Sequence, residues 1–169
     1  MVKTSDEMKN LVEEFIKVTN INYEDQTGKV REKSNLIEWQ FRVGTNVIVS
    51  KNANRTDRIH LNVNMRFPPD DSKLLVMKNP SFSKAVMDIS EICTVCNVGH
   101  QWVKDKEDIV GLAIFSHIDE QILDRISFHN TWDNVARVTA HIQKILRSNF
   151  SGFAGQANSE ETTEKTMYG

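Results

Sequence analysis

One stretch limits the fold more than any other: Ile59–Phe67, with the sequence I-H-L-N-V-N-M-R-F. Ile59, Leu61, Val63, Met65 and Phe67 fall on one face, and His60, Asn62, Asn64 and Arg66 on the other. An unbroken period of two is explained by an extended strand with one buried face. At about 3.3 Å per residue the run spans about 30 Å, nearly twice a usual strand. The spacing predicts a central or dimer-forming strand of an antiparallel sheet with one polar face.

The elements on either side follow from changes of period. Thr4 can cap a first helix, with Glu7 at the reciprocal position of a capping box. Met8, Leu11, Val12, Phe15, Ile16 and Thr19 then form an amphipathic stripe, which Asn20 can terminate. Asn22–Asn35 is polar and predicts a loop or weak edge strand. From Leu36 the period becomes two: Ile37, Trp39, Phe41 and Val43 point in, and Glu38, Gln40 and Arg42 out. Gly44–Asn46 supplies a turn, Val47–Ser50 a return strand, and Lys51–Asp57 a second polar turn. Three strands joined by short turns make an antiparallel meander.

Pro68 and Pro69 end that sheet, because proline cannot donate to the ladder. Leu74–Met77 suggests one helical turn. Asn79 and Pro80 open a second long helix with Phe82, Ala85, Val86, Ile89, Ile92, Cys93 and Cys96 on one face, and Gly99 is placed to close it. Gln101–Lys104 and Ile109–Ile118 form a hairpin whose second strand is apolar on both faces, as at a covered sheet or an interface. Glu120–Phe128 fits a helical turn or a strand. Asn130 or Thr131 caps a last helix that buries Trp132, Val135, Val138, Thr139, Ile142, Ile145 and Leu146. The fold class expected is α+β: helix, three-strand antiparallel meander, helix, β-hairpin and C-terminal helix packed on one curved sheet. Residues 1–150 form a single domain, and 151–169, rich in Gly, Ser, Thr and Glu, form a disordered tail.

Charge and composition narrow the partners. A net charge of -2 gives no general attraction to nucleic acid or to an anionic membrane. No apolar run approaches the roughly 20 residues of a membrane span, and the polar N-terminus cannot be a secretory core. Two cysteines are too few for a disulfide framework, which suits a cytoplasmic protein.

Candidates for chemistry are few. Cys93 and Cys96, followed by His100, could supply half of a metal site. The pair lies near the C-terminal end of its helix, however, where the dipole opposes a thiolate, and both sulfurs lie on the apolar stripe. Core packing is therefore the stronger reading, with metal and then redox chemistry behind it. His117 stands beside Asp119 and Glu120, but no nucleophile, base and orienting acid stand together at readable spacing. A metal site would need further ligands from elsewhere, such as His117 or His129, and His141 reads as packing. No phosphate loop, dinucleotide fingerprint, HExxH or EF-hand loop is present. No cofactor and no catalytic activity are expected.

Binding is left. The tentative site is His60, Asn62, Asn64 and Arg66 with Arg58, on the polar face of the long strand. Arg55, Arg58, Arg66 and Lys51 add positive charge there. RNA binding would also want exposed aromatics, and Phe67 points inward, so nucleic acid is the lesser alternative. Trp39, Trp102 and Trp132 read as core or interface anchors.

In element order the chain resembles the type III secretion chaperone-like fold, including its YbjN-like and uncharacterised archaeal members. The likeness covers about residues 4–150. It rests on M-K-N-L-V-E-E-F-I in the first helix, the runs Ile37–Val43 and Ile59–Phe67, and the last helix after Ile122–Phe128. The resemblance implies a small homodimeric module that binds a protein or peptide partner, chaperone-like, with no catalytic residues. It also implies a balance more acidic than this chain has.

Overall fold

The first helix, α1 (Ser5–Val18), starts where the capping box places it. Thr4 Oγ1 accepts from the Glu7 amide at 3.2 Å, and the Glu7 carboxylate accepts from the Thr4 amide at 2.7 Å. Met8, Val12, Phe15 and Ile16 form its buried stripe, and Asn20 takes the left-handed conformation (φ 54°) that ends it. In this computed structural model the described residues are 3–55, 57–75, 79–150, 153 and 156–158.

The remaining elements are β1 (Tyr23–Asp25), α2 (Thr27–Arg31), β2 (Ile37–Val43), β3 (Val47–Asn52), β4 (Arg58–Arg66), α3 (Pro69–Leu74), α4 (Pro80–Val95), β5 (Gly99–Asp105), β6 (Asp108–Asp119), a 3-10 turn (Glu120–Ile122), α5 (Arg125–Asn149) and β7 (Gln156–Asn158). Hydrogen-bonded neighbours follow the order β1-β2-β3-β4-β6-β5, with β7 on β4. The defined registers are antiparallel throughout, which makes this an α+β fold with a β1-β2-β3-β4 meander. The long alternating run is β4, inside the sheet rather than at its edge.

The chain divides into two compact units, residues 1–62 with 116–135 and residues 63–115 with 136–169. In the first, the inward row of β2 (Trp39, Phe41, Val43) is fully buried, as are Val49, Ile59 and Leu61 on the neighbouring strands. Phe15 of α1 meets Phe128 of α5 at 6.0 Å between ring centroids. The Trp39 indole N–H donates to the Ser5 carbonyl at 3.1 Å. β3 is buried at all six positions, so it is covered on both faces.

In the second unit the core is aromatic. Trp102 lies 5.2 Å from Phe82 and 6.4 Å from Phe67, and Phe153 lies 5.3 Å from Phe67. Val63, Met65, Leu112, Ile114, Ile142 and Leu146 complete it. Gly111 lets two strands close up, because a Cβ there would stand 2.5 Å from the Met65 carbonyl oxygen. Within the segment 151–169 expected to be a tail, Phe153 is buried and 156–158 pair with 64–66; its other residues lie outside the described residues.

Several boundaries differ from the sequence expectation. Asn22–Asn35 contains not only the short edge strand β1 but also α2. The Asp25 side chain seeds that helix by accepting from the Thr27 amide at 2.9 Å. α3 begins at Pro69, earlier than the expected turn at 74–77, of which 76–78 lie outside the described residues. α4 is ended by Asn97 (φ 52°), not by Gly99, which is the first residue of β5. Gly99 is needed for room instead: a Cβ would stand 2.3 Å from the Phe115 ring. α5 starts at Arg125 rather than near Thr131. Asp124 and Ser127 cap it reciprocally, at 2.7 Å to the Ser127 amide and 2.9 Å from the Asp124 amide.

Candidate functional site

The row expected to be a solvated polar face is not one. Asn62 is only 2% exposed, His60 and Asn64 are half-buried, and Arg66 alone of the four is exposed. Register explains which side chains share the face in the first unit. Arg42 lies opposite Ile48, and Ile48 opposite Asn62; Gln40 lies opposite Ser50, and Ser50 opposite His60. Directly opposed residues of an antiparallel pair point the same way, so two adjacent rows cross three strands: Arg42–Ile48–Asn62 and Gln40–Ser50–His60.

α2 accounts for one end of this surface. The Gln26 amide donates to the Gln40 carbonyl at 2.9 Å, the Gln40 amide to Thr27 Oγ1 at 3.2 Å, and Gln40 Nε2 to Gln26 Oε1 at 2.9 Å. Gln40 is thereby satisfied although buried. The other end is not satisfied. Arg42 Nε, His60 Nε2 and both amide atoms of Asn62 are buried with no hydrogen-bond partner among the described residues. Burial pushes the His60 imidazole down to about 4, helped by the nearby His117, Arg58 and Arg55, against the pull of Asp57. His60 is accordingly neutral at physiological pH.

The positive charge expected near this strand is largely answered locally. Arg58 holds Asp57 at 2.7 Å and reaches Asp119 at 3.7 Å. Lys51 is not in an exposed turn but 2% exposed within β3; burial lowers the affinity of its amine for the proton, while Glu38, Glu120 and Asp57 oppose that loss. Of the residues expected to form a basic cluster, Arg55 and Arg66 are exposed.

The Cys93, Cys96 and His100 group is described by the second unit. Cys93 is buried, and burial together with Cys96 pushes its thiol up to about 11. A thiol held protonated at neutral pH is a poor ligand and a poor nucleophile. Cys96 is half-buried, and His100 Nε2 faces Ser90 Oγ at 3.4 Å. Among the described residues no group of three or more His, Cys, Asp or Glu side chains could hold a metal ion. His129 and His141 are exposed, so the packing role expected for His141 is not what it has. Among the described residues, no helix is long and apolar enough to cross a membrane.

A feature that sequence reasoning passed over is the outer edge of β5. The strand order ends there, and among the described residues nothing pairs with its free side. The hairpin was legible in the sequence, but which of its strands faces outward depends on β6 pairing with β4. The Phe67 amide donates to the Val110 carbonyl at 2.9 Å, and the Glu120 amide to the Asp57 carbonyl at 2.8 Å.

No family model and no curated protein matches the sequence. Among solved structures, the chain is similar to an uncharacterized protein from Methanothermobacter thermautotrophicus, with TM-score 0.66 and 9% identity over 85% of this chain and 99% of that one. It is also similar to YbjN from E. coli, with TM-score 0.49 and 10% identity over 88% of this chain and 93% of that one. At such identities the archaeal likeness concerns the fold.

Proposed function

We propose that the chain is a non-catalytic protein-binding module, chaperone-like in the sense of holding an extended partner segment, and that it forms a homodimer. The observation that carries this reading is the β5 edge, Gly99–Asp105. It is seven residues long, and its outer N–H and C=O groups have no strand beside them among the described residues. Such an edge is a template for strand addition, in which backbone hydrogen bonds give affinity and alternate side chains give selectivity.

The devices that usually blunt an edge are confined to one end of β5. The pairing shifts between Val103 and Lys104, and Lys104 and Asp105 carry charge beyond that irregularity. Gly99–Val103 has no proline and no charge. α4, in the same unit, exposes Met87 and Val95, at 72% and 79%. A second β5, antiparallel to the first, would satisfy both edges with one isologous contact.

The test is sedimentation equilibrium across a concentration series, with Val103→Lys as the edge-blocking variant. A dimer that Val103→Lys weakens at least ten-fold is expected. A wild-type monomer over the whole series, with no extended peptide retained, would overturn the proposal.

A further inference from the structure

We propose that the first unit holds a binding site for a small hydroxy- or amino-carboxylate, formed by Arg42, Asn62 and His60 around Ile48. Four buried polar atoms without partners among the described residues lie on one sheet face: Arg42 Nε, His60 Nε2, and Asn62 Nδ2 and Oδ1. Buried polar side chains in folded proteins nearly always have a partner, so four such atoms on one sheet face mark a place where something else supplies the hydrogen bonds. The register puts Arg42 and Asn62 two strands apart, about 10 Å between Cα atoms, with His60 about 7 Å along the strand from Asn62. Ile48, 4% exposed, stands between them on the same face.

The ligand class follows from the inventory of donors and acceptors. Arg42 has one terminal nitrogen 3.8 Å from a Glu24 oxygen, a loose pairing, and Glu24 is itself held by Lys29 at 2.7 Å. The Arg42 Nε–H remains to be accepted, and a carboxylate oxygen accepts it with charge assistance. The Asn62 Nδ2 donates to the same carboxylate or its neighbour. Asn62 Oδ1 is the discriminating atom, because it needs a donor that a bare carboxylate lacks; a hydroxyl or ammonium on the adjacent carbon provides one. His60 Nε2 completes the set as donor or acceptor according to its tautomer.

One guanidinium, one amide and one uncharged ring suit a monoanion. Phosphate brings more negative charge than this set answers, and its dianion has no hydrogen to give Asn62 Oδ1.

The experiment is calorimetric titration and thermal denaturation of the full chain with lactate, glycine, acetate and inorganic phosphate. Lactate or glycine is expected to bind and raise Tm, with acetate at least ten-fold weaker; which of the two leads separates hydroxy from amino acid. Arg42→Lys and Asn62→Leu are expected to weaken that binding at least ten-fold. Asn62→Leu should leave the ligand-free Tm unchanged or higher, since it removes two unpartnered polar atoms at similar volume, whereas a purely structural Asn62 would lower it. If Asn62→Leu does not fold, Arg42→Lys decides. Absence of any response to lactate and glycine overturns the site, as does phosphate binding tightest. Equal responses to all four anions that survive Arg42→Lys overturn it too, because that is unspecific anion binding.

Discussion

The two units both pack aromatic rings, and they differ in the polar groups they bury and in how their outermost strands end. Residues 1–62 with 116–135 bury polar groups: Gln40, Ser50, Lys51, Asn52 and Asn62 are each less than a tenth exposed. Their outermost strand, β1, is only three residues long, and its Glu24 and Asp25 are held by Lys29 at 2.7 Å and Lys9 at 2.8 Å. Residues 63–115 with 136–169 bury Asp71, Ser72 and Thr139, and their outermost strand, β5, is seven residues long and uncharged from Gly99 to Val103. A short, charged edge resists strand addition, and a long bare one invites it. The contrast underlies the two kinds of recognition proposed above: polar chemistry toward a small molecule in the first unit, and backbone pairing in the second.

The largest expected effect tests the buried polar side of that contrast. His60 titrates lower folded than unfolded, so between pH 6.5 and about 4 the unfolded chain binds a proton that the folded chain does not. Stability contributed by neutral His60 is present above pH 6.5 and is lost as pH falls through that window, by no more than about 3 kcal/mol. Urea unfolding at pH 7 and pH 4.5 measures it, and His60→Gln should remove this part of the pH dependence. A His60 ring titration midpoint near 6.5 by NMR would break the contrast.

The second unit makes a demand for close fit at Gly111. Gly111→Ala places a methyl group 2.5 Å from the Met65 backbone oxygen, which cannot move without disturbing the ladder. Denaturant unfolding is expected to show a loss of about 1–3 kcal/mol. The two edges can then be compared with one charge each. Val103→Lys on β5 is expected to weaken self-association at least ten-fold, about 1.4 kcal/mol. Glu24→Lys on β1 is expected to leave association unchanged, and equal effects at both edges would erase the distinction. The smallest effect is a gain: Gly28 in α2 has open space around it, so Gly28→Ala should stabilise by about 0.5–1 kcal/mol. A loss in thermal unfolding would mean that the short helix is not held as described.

Much of the frame was legible because periodicity survives any tertiary detail. The stripe Met8, Val12, Phe15 and Ile16 and the capping pair Thr4–Glu7 define α1 by local rules. The alternation in 37–43 and 59–67 defines β2 and β4 to within a residue. What was missed lay where a local signal had competitors. α2 is five residues long, too short for a hydrophobic period, and its signal was one Asp two residues before a Thr. The start of α5 was misplaced because the Asp124–Ser127 pair lies before the apolar stripe begins. Gly99 looked like a helix terminator, but Asn97 reached the left-handed conformation first.

Of the candidate site, the residues His60 and Asn62 were visible in the sequence and their condition was not. Alternation fixes that they share a face opposite Leu61, because side chains alternate along any strand. Whether that face meets water depends on what neighbouring strands and loops bring over it, and no period of two carries that information. Arg42 was on the outward row of another strand, and only the register through Ile48 joins it to Asn62. The sequence by itself determined the elements, the inside of β4 and the polar character of its other side. The tertiary structure decided that this polar side is buried at Asn62 and half-buried at His60 and Asn64, and that, among the described residues, Arg42, His60 and Asn62 have polar atoms without partners and β5 rather than β4 ends the strand order. Strand order and burial arise from pairings distant in sequence, and those are set by the packing of the whole chain rather than by any one stretch of it.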